Sequence, residues 1–427
     1  MKRKNPWTLD EKLMVFGPTL FIAGFGAFSW QESRTKVIKL PVMHSYSEPS
    51  DGIHDINKIE FSPDSQRFVA VYQAESGGVA AVFDARTLTR LTDLQIPPVP
   101  AGSPAISPVI QDACWALDGQ TIAGIYDDGV GGTTKIKTDY KPFFRFNNQV
   151  KIASWNSQSG DLIWKRLYAK TRLDSGATLR ISSDGKKLLG QGTPSVLFDA
   201  VTGAPLTANN DGAPIGKFNF DGSLIAVTHQ NKKLLEVRDV KINHALWRPH
   251  LKPFYPQWSK NNVFGVGDYR AKNDQRLLLW DGTARRVLPA PPFHNVDEFA
   301  LHPRRTWVAF AEVKFQKLPT NKGANPTFKV ESSTLRVWDY ATQQDVWQRP
   351  MSGPMALSWS PDGRWLCAVE RASGFPQATL WIFDAQGKIQ SRFNRGAVNF
   401  VEWSPDSKTL AIAELNQIEI IAVDRDL

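Results

Sequence analysis

Cysteine is almost missing from this chain: two residues in 427, Cys114 and Cys367, and no Cys-x-x-Cys. That leaves no basis for a disulfide framework, a Cys-rich zinc site or a dithiol redox motif. Both thiols sit in apolar runs and read as buried small apolar residues. Histidine is sparse as well. There are seven, none in a His-x-x-x-His pair, so metal ligation has no spacing to support it. Asp127-Asp128-Gly129 lacks the Glu that closes a calcium loop and reads as a turn. No Gly-x-Ser-x-Gly elbow occurs, and no Gly-rich phosphate loop ends in Lys-Ser/Thr. No metal and no cofactor are expected, and a non-catalytic role is preferred to an enzyme. The net charge of +9, of which residues 35–427 carry +7, is spread along the chain. It forms no concentrated stripe for nucleic acid, although a mildly basic surface suits acidic partners.

What the chain has is a repeat. Eight short polar turns each separate two apolar runs, at 62–65, 117–120, 182–185, 219–222, 259–262, 302–305, 360–363 and 404–407. Ser-Pro-Asp-Gly at 360–363 shows the logic: Ser opens the turn, Pro presets the backbone, and Gly rejoins the strand. A third strand follows and ends on an aromatic-Asp pair, as at Phe83-Asp84, Phe198-Asp199, Trp280-Asp281, Trp338-Asp339 and Phe383-Asp384. A weaker fourth strand closes the unit, as at 204–206 and 388–390. Such a repeat predicts an all-β fold, an eight-bladed β-propeller. Seven blades is the alternative, if the poorly marked Asn261 unit or the long Asp118 unit is something else. The last unit lacks a fourth strand, and residues 36–42 are expected to supply it, latching the two chain ends in one blade. The Asp residues ending the third strands are expected to bond local backbone in the next turn. His302, at a turn position, is expected to do the same work there.

The turns at 62–65, 360–363 and 404–407, with Trp280-Asp281 and Trp338-Asp339, resemble the WD40-like propellers over residues 36–427. The Pro-Asp-Gly turn is shared with bacterial TolB-like propellers. No Gly-His pair opens a repeat, which departs from eukaryotic WD40 units. Residues 155–164, Trp-Asn-Ser-Gln-Ser-Gly-Asp-Leu-Ile-Trp, resemble the Trp-docking repeat of quinoprotein-like eight-bladed propellers.

Leu13 to Trp30 is uncharged for 18 residues. As a helix it would span about 27 Å, enough for a bilayer core. Lys2, Arg3, Lys4 and Lys12 precede it. Residues 1–12 therefore read as a cytoplasmic tail, 13–30 as a transmembrane signal anchor, and 36–427 as a propeller on the extracytoplasmic side. A cleaved signal peptide is the competing reading. Two loops between second and third strands are long, in the second and sixth units, and so face each other across the ring. Their cations and aromatics suit a protein contact: Lys135, Lys137, Tyr140, Lys141, Phe143, Phe144 and Arg145 in one, Lys314, Phe315 and Lys317 in the other. Arg270 of the fifth unit joins the same rim. The equally weighted structural reading makes both loops extended hairpins whose Phe residues pack on their own blades. The expectation is a membrane-tethered scaffold that binds a protein partner. The alternatives are an exported enzyme using the axial funnel, quinoprotein-like or otherwise, and a glycan or anionic-headgroup binder. Any small-molecule ligand is left open by the sequence.

Overall fold

The computed structural model describes residues 42–47, 53–74, 77–98, 109–128, 133–136, 143–146, 150–169, 178–191, 196–208, 215–229, 234–271, 274–293, 295–317, 328–352, 355–371, 377–414 and 417–423. Regular structure among the described residues is β throughout, and none of it is a helix long and apolar enough to cross a membrane. The expected tail at 1–12 and span at 13–30 lie outside the described residues.

Eight four-stranded antiparallel sheets follow one another along the chain. The first is built from Ile53–Phe61, Arg67–Ala74, Gly77–Asp84 and Arg90–Asp93. The second uses Val109–Trp115, Thr121–Asp127, Val150–Asn156 and Leu162–Ala169, interrupted by an insertion. The first strand of each sheet lies innermost, against the first strands of its neighbours. In the remaining sheets these are Thr178–Ile181, Ile215–Phe218, Pro253–Trp258, Val296–Leu301, Met355–Trp359 and Val398–Trp403. The Asp118 and Asn261 units are both complete sheets, which decides for eight blades over seven.

The ring closes through its ends. Val42–Ser47 pairs antiparallel with Gln417–Ala422, from Val42↔Ile421 to Ser47↔Gln417. The closing strand expected at 36–42 meets this pairing at Val42, and 36–41 lie outside the described residues.

Packing explains why the second strands read as unbroken apolar runs. Successive side chains of a strand point to opposite sheet faces, and each blade is covered on both faces. In the last blade Leu410 and Ile412 join the seam with the seventh, while Ala411 and Ala413 join the seam with the first. Among the described residues there are eight such buried clusters, one for each seam of an eight-membered ring.

The turns repeat one hydrogen-bond scheme. The hydroxyls of Ser62, Ser182, Ser360 and Ser404 donate to Asp64, Asp184, Asp362 and Asp406 at 2.5–2.6 Å. Each also accepts the backbone N–H five residues on. Asp84, Asp199, Asp281, Asp339 and Asp384 accept N–H groups of the turn after the third strand, as expected. The bonds from Thr202 hold the Asp199 carboxyl below the usual carboxylate range, and those from Ser182 and Lys186 do so for Asp184.

Tryptophan joins blade to blade. The indoles of Trp115, Trp258, Trp359 and Trp403 donate to backbone carbonyls of the preceding blade's innermost strand, at Glu60, Lys217, Ala300 and Ser358. Trp155, in the unit resembling a Trp-docking repeat, donates to the Gln95 carbonyl in the link from the first blade. Trp347 does likewise to Ala385 of the seventh. Cys114 and Cys367 are buried and unpaired in the second and seventh blades, and burial pushes the Cys367 thiol up to about 12.

Candidate functional site

Two regions offer chemistry beyond packing. The first is the face that carries the long loops. In the sixth blade Trp307–Lys317 and Phe328–Asp339 form a hairpin paired as far as Lys317↔Phe328. The inner neighbour pairs with it only to Glu312, and the outer neighbour only from Ser333. Beyond those residues the hairpin is a free-standing two-stranded ribbon. Lys314 and Phe315 lie on it, both exposed, and Lys317 ends its first strand. In the second blade Thr133–Ile136 pairs with Phe143–Phe146 as a separate two-stranded sheet, matching Lys135 to Phe144 and Thr134 to Arg145. Lys137, Tyr140 and Lys141 lie outside the described residues. Arg270 is in the second strand of the fifth blade, Val263–Ala271, near its end. All three segments leave the end of a second strand, so they share one face. The second and sixth blades are four places apart in a ring of eight.

Acidic residues near that face turn out to hold the links between blades. Asp268 accepts the Lys252 N–H, Glu370 the Ser352 N–H, and Glu414 the Gly396 N–H, each just before the innermost strand of its own blade. Glu312 pairs with Arg336 at 2.8 Å.

The second region is the axis, on the side of the polar turns. Each innermost strand presents one residue two places before the first residue of its turn: Glu60, Cys114, Arg180, Lys217, Gln257, Ala300, Ser358 and Glu402, the turn of the second blade opening at Ala116, one residue earlier than expected. Arg180, Lys217, Gln257, Ser358 and Glu402 line an axial cavity of about 440 Å³, with Phe400 one step deeper. Lys58, Glu60 and Asp112 form a separate strap across the first three blades. The Lys58 ammonium lies 2.7 Å from Asp112, 3.0 Å from Glu60 and 2.8 Å from the Ala113 carbonyl. Asp112 accepts the Leu179 N–H, and Glu60 accepts the Trp115 N–H. Burial alone would lower the Lys58 pKa, but the two carboxylates outweigh it and hold the ammonium charged.

The remaining charges are not so matched. Among the described residues no carboxylate forms an ion pair with Arg180 or Lys217. Arg180 is exposed, its guanidinium 5.8 Å from the Phe220 ring centroid. Burial, with Arg180 beside it, pulls the Lys217 ammonium down to about 8. Burial, with Glu60 nearby, pushes the Glu402 carboxyl up to about 8, against the opposing pull of Lys58, Arg180 and Lys260. At neutral pH the cavity wall thus carries two cations and a carboxyl that is largely protonated. No sequence motif marks these groups, because each blade contributes one. The signal was present all the same: aligning the eight turns and reading two places back gives the set.

His302 sits as expected in the turn of the sixth blade. Its Nδ1 accepts the N–H groups of Arg304 and Arg305, and its Nε2 lies 3.1 Å from the Gly363 carbonyl in the seventh. Among the described residues no three His, Cys, Asp or Glu side chains converge to hold a metal ion.

Neither a protein-family model nor a curated protein matches this sequence. Solved structures do match in shape. A computationally designed protein, Ika8, aligns over 90% of this chain and 99% of its own with a TM-score of 0.55 at 12% identity. A eukaryotic initiation factor aligns over 88% and 92% with a TM-score of 0.54 at 13% identity. BamB from Moraxella catarrhalis aligns over 91% and 99% with a TM-score of 0.53 at 12% identity. At such identities the likeness shows one thing, that the chain is a β-propeller.

Proposed function

We propose that this chain is a WD40-like, TolB-like repeat protein, held at a membrane by residues 13–30, that receives a protein partner on its long-loop face. One observation carries the reading. The sixth-blade ribbon rises past both flanking strands and presents Phe315, 37% exposed, beside the exposed Lys314. An aromatic and a cation on an open-edged ribbon add nothing to the blade's own core, whereas such residues anchor interfaces. The second-blade hairpin, carrying Lys135, Phe143, Phe144 and Arg145, stands opposite on the same face, so one partner can bridge both. Uncharged residues 13–30 then tether the propeller, with the basic tail retained in the cytoplasm.

The test is site-specific photocrosslinking in intact cells. A photoreactive phenylalanine analogue at position 315 should give one discrete protein adduct. The same analogue at Val201, 78% exposed in a turn on the opposite face, should give none. Equal adducts at both positions, or none at 315, would remove the long-loop face as the contact. Protease added on the extracytoplasmic side of the membrane should degrade the propeller and spare the first 12 residues; full protection of the propeller would reverse the orientation.

A further inference from the structure

The axial cavity is independent of the long-loop reading, and its charges call for a ligand. Arg180 and Lys217 stand on adjacent blades, close enough for the guanidinium to disfavour the charge on the ammonium, with no described carboxylate paired to either. A protein keeps two like charges unpaired in a concave wall at a cost, and a bound counter-ion offsets that cost. The neighbouring strap is matched within itself, whereas the side chains of Lys260 and Glu402 make no ion pair or hydrogen bond with the described residues. Lys58, Glu60 and Asp112 satisfy one another, and the Gln257 amide donates to the Phe299 carbonyl at 3.0 Å. Glu402 projects from the eighth blade, which lies opposite the fourth and hence opposite Lys217.

We propose that the axial cavity binds a small anion, a carboxylate or a phosphate, between the Arg180 guanidinium and the Lys217 ammonium, with the Glu402 side chain on the facing wall. The volume of about 440 Å³ admits a ligand of metabolite size, and Phe400 and Ser358 give it one apolar and one polar wall. Arg supplies a planar fork for an oxyanion and Lys a point charge, which together fit either anion. The polarity of the wall depends on pH. The charged groups facing Glu402 are Glu60, Lys58, Arg180 and Lys260, and Lys217 faces Arg180. Near pH 7 Glu402 is mostly neutral and Lys217 mostly charged. Above about 8 Glu402 gains a negative charge and Lys217 loses its positive one. Both changes act against an anion, so affinity is highest on the acid side and falls as pH rises through 8.

Isothermal titration of the full chain in detergent tests this with inorganic phosphate and, separately, with succinate, whose carboxyls stay ionised from pH 6 upward. Binding of either supports the site, and the tighter of the two identifies the source of the anion. Arg180→Gln and Lys217→Gln should each weaken binding by about tenfold or more, the loss of one charge-assisted bond. Lys241→Gln, which removes the same charge from an exposed turn outside the cavity, should leave it unchanged. Glu402→Gln should show a flatter decline of succinate binding between pH 7 and 9.5 than the parent. Arg180 is exposed and makes no hydrogen bond to the described residues, so its variant folds and the measurement stays interpretable. No binding of either anion at millimolar concentration, or binding indifferent to both cation variants, would overturn the proposal.

Discussion

Single residues set the joints of this ring. His302 takes the place that Ser holds in other turns, and burial pulls its pKa down to about 4. The fold requires the neutral ring, because Nδ1 accepts two backbone N–H groups and cannot do so when protonated. Nε2 then carries the proton and donates to the Gly363 carbonyl, so the joint between sixth and seventh blades rests on one tautomer. Gly363 has φ +76°, and a Cβ there would stand 2.3 Å from the His302 ring, so the position accepts only glycine. The unfolded chain binds a proton at His302 near its ordinary value of 6.5, the folded chain only near 4. The stability contributed by the neutral ring is therefore complete above about 6.5 and is lost as pH falls toward 4. In thermal melts from pH 7.5 to 4, His302→Ser is expected to lose less Tm than the parent. A parallel decline of the two curves would show that this histidine does not govern the acid limb.

At the scale of elements, the hairpins were readable because their turns obey chemistry that does not depend on distant partners. Ser, Asp and Gly at fixed offsets make the same bonds in blade after blade, and even Ser259-Lys260-Asn261-Asn262 keeps the scheme, with Asn261 accepting from Ser259. The closing strand was found as an element, but its extent to Ser47 was not, since Val42–Ser47 has no turn of its own and as an outer strand needs little apolar content. The axial charges escaped for a different reason. Arg180, Lys217 and Glu402 are separated by up to 222 positions, and only curvature of the ring brings them together. The sixth-blade ribbon was legible as a long loop rich in Lys and Phe, and as an extended hairpin in the competing reading. Its upper part pairs with no third strand, so it adds little to the blade. Replacing residues 314–332 by a two-residue Asn-Gly turn should therefore shift the urea midpoint by less than about 0.5 kcal/mol equivalent. A larger loss would mean that the ribbon packs down on its blade and is not a projecting contact.

For the whole molecule, closure is the decisive property, since a ring with one seam open exposes sheet edges and an apolar face. The pairing Ser47↔Gln417 spans nearly the entire chain. With Ser47→Cys and Gln417→Cys introduced together, mild oxidation should join the ends. The cross-linked chain should melt higher than its reduced form, by an amount equivalent to several kcal/mol in the chain-entropy limit. Failure of the two thiols to react, while the buried Cys114 and Cys367 stay inert, would contradict the register of the closing strand.

The same geometry constrains biogenesis. Of the described strands Val42–Ser47 is made first and its partner Gln417–Ala422 last. Seven sheets are complete before the eighth can be, so the first-made ribbon must wait, unmatched, while they are built. A nascent chain arrested before position 417 cannot finish, whatever the quality of its earlier blades. Quality control needs to inspect only that final union to tell a mature molecule from an abandoned one.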